Sequence, residues 1–147
     1  LWRVARVDLE PAEAVEILLG APTPRPGLSM AEAHLRDDGG IELCERDARG
    51  VARERFDFDA AGRLRHVERL DEEGQLLWEG RFDDYRDLVA PDGSLQPFAF
   101  DVSLRFPRVD AEAELSFARV ELQPPLPEEL FVLKLPAGAE TGEVGSP

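Results

Sequence analysis

The segment 98–106 alternates strictly between apolar and other residues. Successive side chains of a β-strand point to opposite faces of a sheet. The alternation therefore predicts a strand with one apolar face and one mostly solvated face, and the rest of the chain is interpreted around it. Its apolar positions are Phe98, Phe100, Val102, Leu104 and Phe106.

The segment 111–123 repeats this alternation after a short turn. Its apolar residues are odd-numbered as far as Phe117, after which Val120 and Leu122 are even-numbered. A shift of one residue would turn the second half of the strand to the wrong face. We therefore predict a β-bulge near residues 118–119, and the prolines that follow predict the end of the strand.

Turn signals divide the middle of the chain into short strands. Two of them have the form Asp-x-x-Gly-x-Leu and begin twelve residues apart, at Asp59 and Asp71. Glycine supplies the positive φ of tight hairpins, and an aspartate side chain bonds to the backbone two residues on. Such spacing predicts consecutive hairpins in one antiparallel sheet. The predicted strands in this part and before it are 1–7, 30–36, 41–46, 51–58, 64–70 and 76–82.

The segment 11–19 is the one good helix candidate. Pro11 suits the first helical turn and Gly20 suits the exit, and further prolines follow shortly afterwards. Ala14, Val15, Leu18 and Leu19 form an apolar stripe, which leaves two interpretations: a helix packed on the sheet, or a lid over an apolar cavity. The lid would present Val15, Leu18 and Leu19.

One short helix cannot cover one face of seven or eight strands. Each Phe or Leu left exposed would forgo about 1.5–3 kcal/mol of burial, so the sheet must curl on itself, gain other cover or bind something apolar. We predict a mainly β fold: a strongly curved antiparallel sheet, an unclosed half-barrel of about seven or eight strands, with one helix on the concave face. We expect one domain over residues 1–136 and a flexible tail over residues 137–147. Because the chain opens at Leu1 in a predicted strand, we also expect that an N-terminal part has been removed.

Composition narrows the range of partners. The chain has 147 residues, a formal net charge of −14 and a sequence pI of about 4.5. Such a charge repels nucleic acid and anionic membrane surfaces, so we expect no nucleic-acid partner. Cys44 is the only cysteine, which excludes an internal disulfide and favours a small buried apolar residue.

No set of residues predicts catalysis. His34 and His66 lie in separate predicted strands and are interpreted as surface or cross-strand histidines. The serines have no nucleophile-elbow context, and Cys44 has no evident histidine partner in the sequence. We therefore expect neither an enzyme nor a cofactor.

Two groups of aspartates offer oxygen ligands for calcium near turns. They are Asp83, Asp84 and Asp87, and Asp37 and Asp38. Calcium loops usually alternate their ligands with glycine, and neither group does. Acidic turns are expected by chance in so acidic a chain, so we predict no metal site.

Several short motifs in the second half of the chain occur in a familiar order. They are Gly80-Arg81-Phe82-Asp83-Asp84-Tyr85-Arg86-Asp87, then Leu95-Gln96-Pro97, the two alternating strands, Val120-Glu121-Leu122-Gln123-Pro124-Pro125-Leu126-Pro127 and Leu130-Phe131. This order resembles the C-terminal half of the lipoprotein-localisation family with the LolA/LolB-like fold, especially its uncharacterised LolB-like lipoprotein branch. The resemblance covers about residues 64–136, and Gln123 stands where asparagine is common.

The resemblance implies an unclosed β-barrel with helices on its concave side and an apolar cavity for the acyl chains of bacterial lipoproteins. On that basis we expect a non-enzymatic lipid- or lipoprotein-binding module of the cell envelope. It would be periplasmic, and anchored to the outer membrane in the full-length protein. Acyl chains would lie against an apolar face formed by Leu76, Trp78, Phe82, Phe98, Phe100, Val102, Leu104, Leu115 and Phe117.

Two alternatives stay open. The same face can be filled by a missing N-terminal region or by an envelope protein, which would make the chain a structural or adaptor subunit. The Asp-x-x-Gly-x-Leu meander also resembles the tyrosine–aspartate repeats of large secreted β-shell proteins, with only two clean units here. An open cavity that binds an apolar dye would favour the carrier, and a fully packed face would favour the adaptor.

Overall fold

One antiparallel sheet and one helix make up the described part of the chain. The computed structural model describes residues 9–122, without the side chains of residues 30 and 31. The helix α1 is Pro11–Leu18, and the strands are β1 Ser29–Leu35, β2 Ile41–Arg46, β3 Ala52–Phe58, β4 Leu64–Leu70, β5 Leu76–Val89, β6 Leu95–Phe106 and β7 Ala111–Ser116, with a short 3₁₀ turn Pro107–Val109 before β7.

The seven strands follow one another across the sheet in chain order, and each pair is antiparallel. Within residues 9–122 the two outer strands, β1 and β7, do not pair, so the sheet is unclosed. The predicted class, a mainly β open half-barrel with one helix, is confirmed. Strands β2 and β4 have the predicted bounds, whereas β5 continues to Val89 instead of ending at Phe82.

Aspartate side chains stabilise the hairpin turns by accepting hydrogen bonds from the backbone. Oδ1 of Asp71 accepts hydrogen bonds from the backbone N–H groups of Glu73 and Gln75, at 2.9 and 2.7 Å. The bond from Gln75 is the main reason that the pKa of Asp71 lies below its usual value. The turn at Asp59 has the same construction, as predicted, and the structure adds a third such turn at Asp47, which the sequence analysis did not name.

The core lies on one face of the sheet. Strand register places Phe82 opposite Val102 and Val102 opposite Leu115, so apolar side chains form a row across three strands. The helix adds Ile17, which is fully buried in the same cluster. The buried cluster contains Ile17, Phe56, Leu64, Val67, Trp78, Phe82, Ala99, Val102, Leu104 and Phe106.

Gly80 makes room for the side chains of the two strands beside it. It pairs with Val67 of β4 and with Leu104 of β6. A Cβ atom at this position would lie 3.2 Å from Cδ2 of Leu104 and 3.3 Å from Cγ1 of Val67. A larger residue would therefore compete with the core for the same space.

The burial of β6 follows the predicted alternation from Phe100 onward, where Phe100, Val102, Leu104 and Phe106 are buried. Ala99 belongs to the same buried cluster as Val102, although the two residues are three positions apart. In the facing strand the register skips Asp84, whose φ of 48° lies in the left-handed region. The buried Ala99 therefore interrupts the even-numbered pattern at the N-terminal end of β6, next to the edge-to-face pair Phe98 and Phe100.

Strand β7 ends at Ser116, so the predicted bulge near residues 118–119 is wrong. The N–H of Phe117 donates to the carbonyl oxygen of Phe100 at 2.8 Å, but strand pairing does not continue over residues 118–122. The change of phase in the sequence marks the end of the strand, because apolar residues beyond a strand need not keep its period.

The helix α1 packs through a different side from the one that the sequence suggested. Ala14 and Ile17 are buried. Val15 and Leu19 are 55% and 62% exposed, and Leu18 is half-buried. Residues three apart share a helix face, so the edge that contains Ala14 and Ile17 packs inward. The lid face predicted at Val15, Leu18 and Leu19 is corrected accordingly.

Several predictions concern residues outside the described range. The strand at 1–7, most of the closing motif and the tail at 137–147 lie there, and the domain bounds 1–136 stay a prediction. Among residues 9–122, no helix has the length and the apolar character needed to cross a membrane.

Candidate functional site

The residues predicted to line an acyl-chain site fall into two sets. The buried set is Trp78, Phe82, Phe100, Val102 and Leu104. The half-buried set is Leu76, Phe98, Leu115 and Phe117. The accessible part of the predicted site therefore lies with the half-buried set, mainly at β6 and β7.

Three phenylalanines gather where β6 meets the end of β7. The ring centroids of Phe98 and Phe117 are 5.5 Å apart, and those of Phe98 and Phe100 are 5.9 Å apart, both edge to face. The guanidinium of Arg86 lies over the ring of Phe100, 4.2 Å from its centroid. Phe98 and Phe117 are only half-buried, so part of this aromatic group is accessible to solvent.

A buried ionic cluster lies among the core positions of β3 and β4, and a polarity pattern does not predict it. Arg69 is 2% exposed and forms an ion pair with Glu54, which is fully buried. Nε of Arg69 is 3.2 Å from Oε1 of Glu13 in α1, and Nη2 donates to the carbonyl oxygen of Thr23 at 2.9 Å. Burial is the main cause of the lowered pKa of Arg69, and the positive charge of Arg25 adds to it.

The signal for this pair was present in the strand pattern. Arg69 shares the phase of the buried Val67 in β4, and Glu54 shares the phase of the buried Phe56 in β3. The two charged residues face each other in the register of β3 and β4. Opposite charges at paired core positions therefore indicate a buried ion pair.

A groove of about 630 Å³ runs beside α1 and the loop that follows the helix. Its lining includes apolar Leu9, Ala12 and Leu77 and charged Glu10, Glu13, Glu16, Arg25 and Arg69. Charged groups lose water when an apolar chain covers them, which costs free energy. The groove is therefore a poor site for an acyl chain.

On the opposite face of the sheet, His66, Glu68 and Glu79 converge. Glu68 and Glu79 are paired across β4 and β5, and His66 lies two residues from Glu68 on the same face. One ligand atom from each of the three lies within 4.8 Å of the others. Burial alone would raise the pKa of Glu79, but hydrogen bonds from His66 and Arg105 outweigh it and lower the pKa. His66 is a cross-strand histidine, as predicted.

The aspartates considered for calcium make other contacts. Asp83 and Asp84 lie inside β5, not near a turn, because β5 is longer than predicted. They form ion pairs with Arg65 and Arg86, respectively. Asp38 accepts a hydrogen bond from a backbone N–H within its own turn, at 2.9 Å. Within residues 9–122 these aspartates form no converging group of three.

The remaining candidate groups lie in β1 and β2. Cys44 is buried, in agreement with its interpretation as a small apolar residue. His34 is exposed, with Nε2 3.7 Å from Oε2 of Glu32. In the register of β1 and β2, Cys44 faces Glu32 and His34 faces Glu42, so the thiol and the imidazole are not paired across the strands.

Comparison with known proteins gives a structural likeness. No family model and no curated protein matches this chain. A solved structure from Vibrio parahaemolyticus, named as an outer membrane lipoprotein-sorting protein domain, is similar at 20% identity with a TM-score of 0.48. The likeness covers 71% of this chain and 45% of that chain, so this chain spans less than half the length of that structure.

Proposed function

We propose that this chain is a non-enzymatic lipid- or lipoprotein-binding module of the bacterial cell envelope, which buries acyl chains against the apolar face of its sheet. The observation that carries the proposal is that Phe98, Leu115 and Phe117 are only half-buried at one end of this face, beyond the short helix of the described range. The helix has 8 residues, and only Ala14 and Ile17 are buried. Such a helix is about 12 Å long, whereas seven strands span about 29 Å.

The half-buried end of β6 is the proposed entry point. Phe98, Leu115 and Phe117 offer apolar surface there that is not fully covered. Entry toward Phe82 requires α1 to move aside, because Ile17 packs in the same cluster. Each methylene that leaves water contributes about 0.8 kcal/mol, so affinity depends on acyl-chain length more than on polar contacts.

The proposal includes the cellular location of the protein. The resemblance over residues 64–136 supports a periplasmic module that is anchored to the outer membrane in the full-length protein. Its partners would be acyl chains of a lipid or a lipoprotein. The net charge of −14 keeps the module away from anionic lipid surfaces, so binding depends on the apolar face.

Tryptophan fluorescence provides a direct test. The chain has 2 tryptophans, so Trp2→Phe leaves Trp78 as the only tryptophan, within the proposed acyl-chain face. Titration with brominated fatty acids should quench Trp78 in a saturable way, and longer chains should bind more tightly. Phe117→Ser should weaken binding by about tenfold, which corresponds to about 1.4 kcal/mol of lost apolar contact.

Leu95→Ser is the matched control, because Leu95 lies in β6 but is 63% exposed. It should leave the affinity unchanged. Equal losses in Leu95→Ser and Phe117→Ser, or no uptake by the unaltered chain, would contradict the proposal.

An adaptor subunit is the second candidate function. The observation in its favour is that Trp78, Phe82 and Val102 are already buried in the core, as in a face that serves stability. Native mass spectrometry of protein purified without detergent separates the two candidates. A co-purifying acyl species supports the carrier, whereas a bare chain that takes up no added fatty acid supports the adaptor.

A further inference from the structure

The outer-face cluster of His66, Glu68 and Glu79 has the donor set of a metal site. Its three ligand atoms lie within 4.8 Å of one another. In a tetrahedral zinc site, metal–ligand distances of about 2.0–2.2 Å place the ligand atoms about 3.3 Å apart. Strand pairing holds Glu68 opposite Glu79, so the backbone already places the two carboxylates on one face of neighbouring strands.

His66 can bind a metal through Nε2 when this nitrogen gives up its proton and its hydrogen bond to Glu79. This nitrogen lies 2.8 Å from Oε2 of Glu79, while Nδ1 lies 3.4 Å from Oδ2 of Asp57. Asp57 is paired with His66 across β3 and β4. A ligating histidine usually donates its other ring N–H to a carboxylate, which fixes the tautomer and leaves one nitrogen for the metal.

Two arginines compete with a cation for the carboxylates. Nη1 of Arg55 lies 3.0 Å from Oε2 of Glu68, and Nη2 of Arg105 lies 2.5 Å from Oε1 of Glu79. The two arginine side chains are 48% and 49% exposed. The side chains of Glu68 and Glu79 are only 22% and 11% exposed, so a divalent cation has to displace both arginines from partly buried ion pairs.

We propose that His66, Glu68 and Glu79 bind a divalent transition-metal ion, with Zn²⁺ as the first choice, and that Asp57 acts as a positioning residue for His66. One imidazole and two carboxylates suit Zn²⁺, whereas Ca²⁺ and Mg²⁺ take oxygen ligands. Three protein ligands leave a fourth position for water or for a donor group of a partner. The site links β4 to β5 on the face opposite the core, so it stands independently of acyl-chain binding.

Calorimetric titration of the full chain with Zn²⁺ tests this site. One ion should bind per chain, and His66→Gln or Glu79→Gln should remove that binding. Asp57→Asn should weaken it by about tenfold to a hundredfold, as expected for a residue that orients a ligand. Arg105→Gln should tighten it, because Glu79 loses its competitor; a cluster that serves only as an ion-pair network would show no such gain.

His34→Gln is the matched control, because His34 is the other of the 2 histidines and is exposed in β1. It should leave binding unchanged. The visible spectrum of the Co²⁺-loaded chain gives a second readout, which His66→Gln should abolish. Circular dichroism checks the folding of each variant, and Glu68→Gln replaces any that does not fold. Absence of Zn²⁺ binding, or binding that persists in both His66→Gln and Glu79→Gln, overturns the proposal.

Discussion

Arg69 and Glu54 place two opposite charges inside the core of the sheet. Neither side chain reaches solvent, and the guanidinium also lies 5.8 Å from the ring centroid of Trp78. A buried ion pair adds little net stability compared with an apolar pair of the same volume, but loss of one partner leaves an uncompensated charge. Because Arg69 also contacts Glu13 and Thr23, it connects α1 and its loop to the sheet.

Arg69→Met should therefore lower the free energy of unfolding by about 3–5 kcal/mol. The double variant Arg69→Met with Glu54→Leu should recover much of that loss, because no buried charge remains. Arg65→Met is the control, since its ion pair with Asp83 is exposed and contributes at most about 1 kcal/mol. Urea unfolding measures all three, and a double variant no more stable than the single one would contradict this account.

The hairpin turns and the helix α1 each depend on a few contacts at the scale of an element. In the turns, one carboxylate satisfies two backbone N–H groups, so its ionised form is favoured in the folded chain. In α1, one side of the helix carries the packing, because Ile17 is buried while Val15 is exposed. The turns predict a pH-dependent loss of stability on substitution, whereas the helix predicts a loss of stability that depends on which side of α1 is substituted.

The pH dependence of the stability of Asp71→Asn tests whether the ionised carboxylate stabilises the turn. The pKa of Asp71 is lowered in the folded chain, so its contribution to stability is complete above the unfolded value of about 3.9 and is lost as pH falls through the folded value. The unaltered chain should be more stable than the variant at neutral pH, and this difference should shrink on acidification. Urea midpoints at several pH values measure it, and a constant difference would refute the role of ionisation.

Ile17→Ala tests the helix. It should cost about 2–5 kcal/mol, because it removes a buried side chain and leaves a cavity in the core. Val15→Ala is the matched control and should change stability by less than about 0.5 kcal/mol, because Val15 faces solvent. Thermal or urea unfolding distinguishes them, and equal effects would mean that the packed side of α1 is wrongly assigned.

Across the whole molecule, sequence reasoning succeeds where turn chemistry is explicit. The Asp-x-x-Gly turns on either side of β4 define its ends, so its bounds agree with the prediction. The length of β5 was missed because the positive φ of Asp84 is invisible in a polarity pattern.

For the candidate sites too, a polarity pattern predicts some residues and misses others. The apolar face could be predicted because alternation reports it directly. Arg69 and Glu54 were missed because a polarity pattern assigns charged residues to solvent, whatever their phase. His66 and Glu79 are 13 residues apart and meet only through the register of β4 and β5, which the sequence does not state.

The chain-order sheet has a consequence for how the molecule forms. Among the seven described strands, every pair joins neighbours in the chain, so none of these pairings has to wait for a distant segment. Short loops cost little entropy to close, and topologies rich in local contacts fold quickly. The sheet can therefore grow one hairpin at a time from its N-terminal side during synthesis, with each new strand using the edge that the previous one has just created.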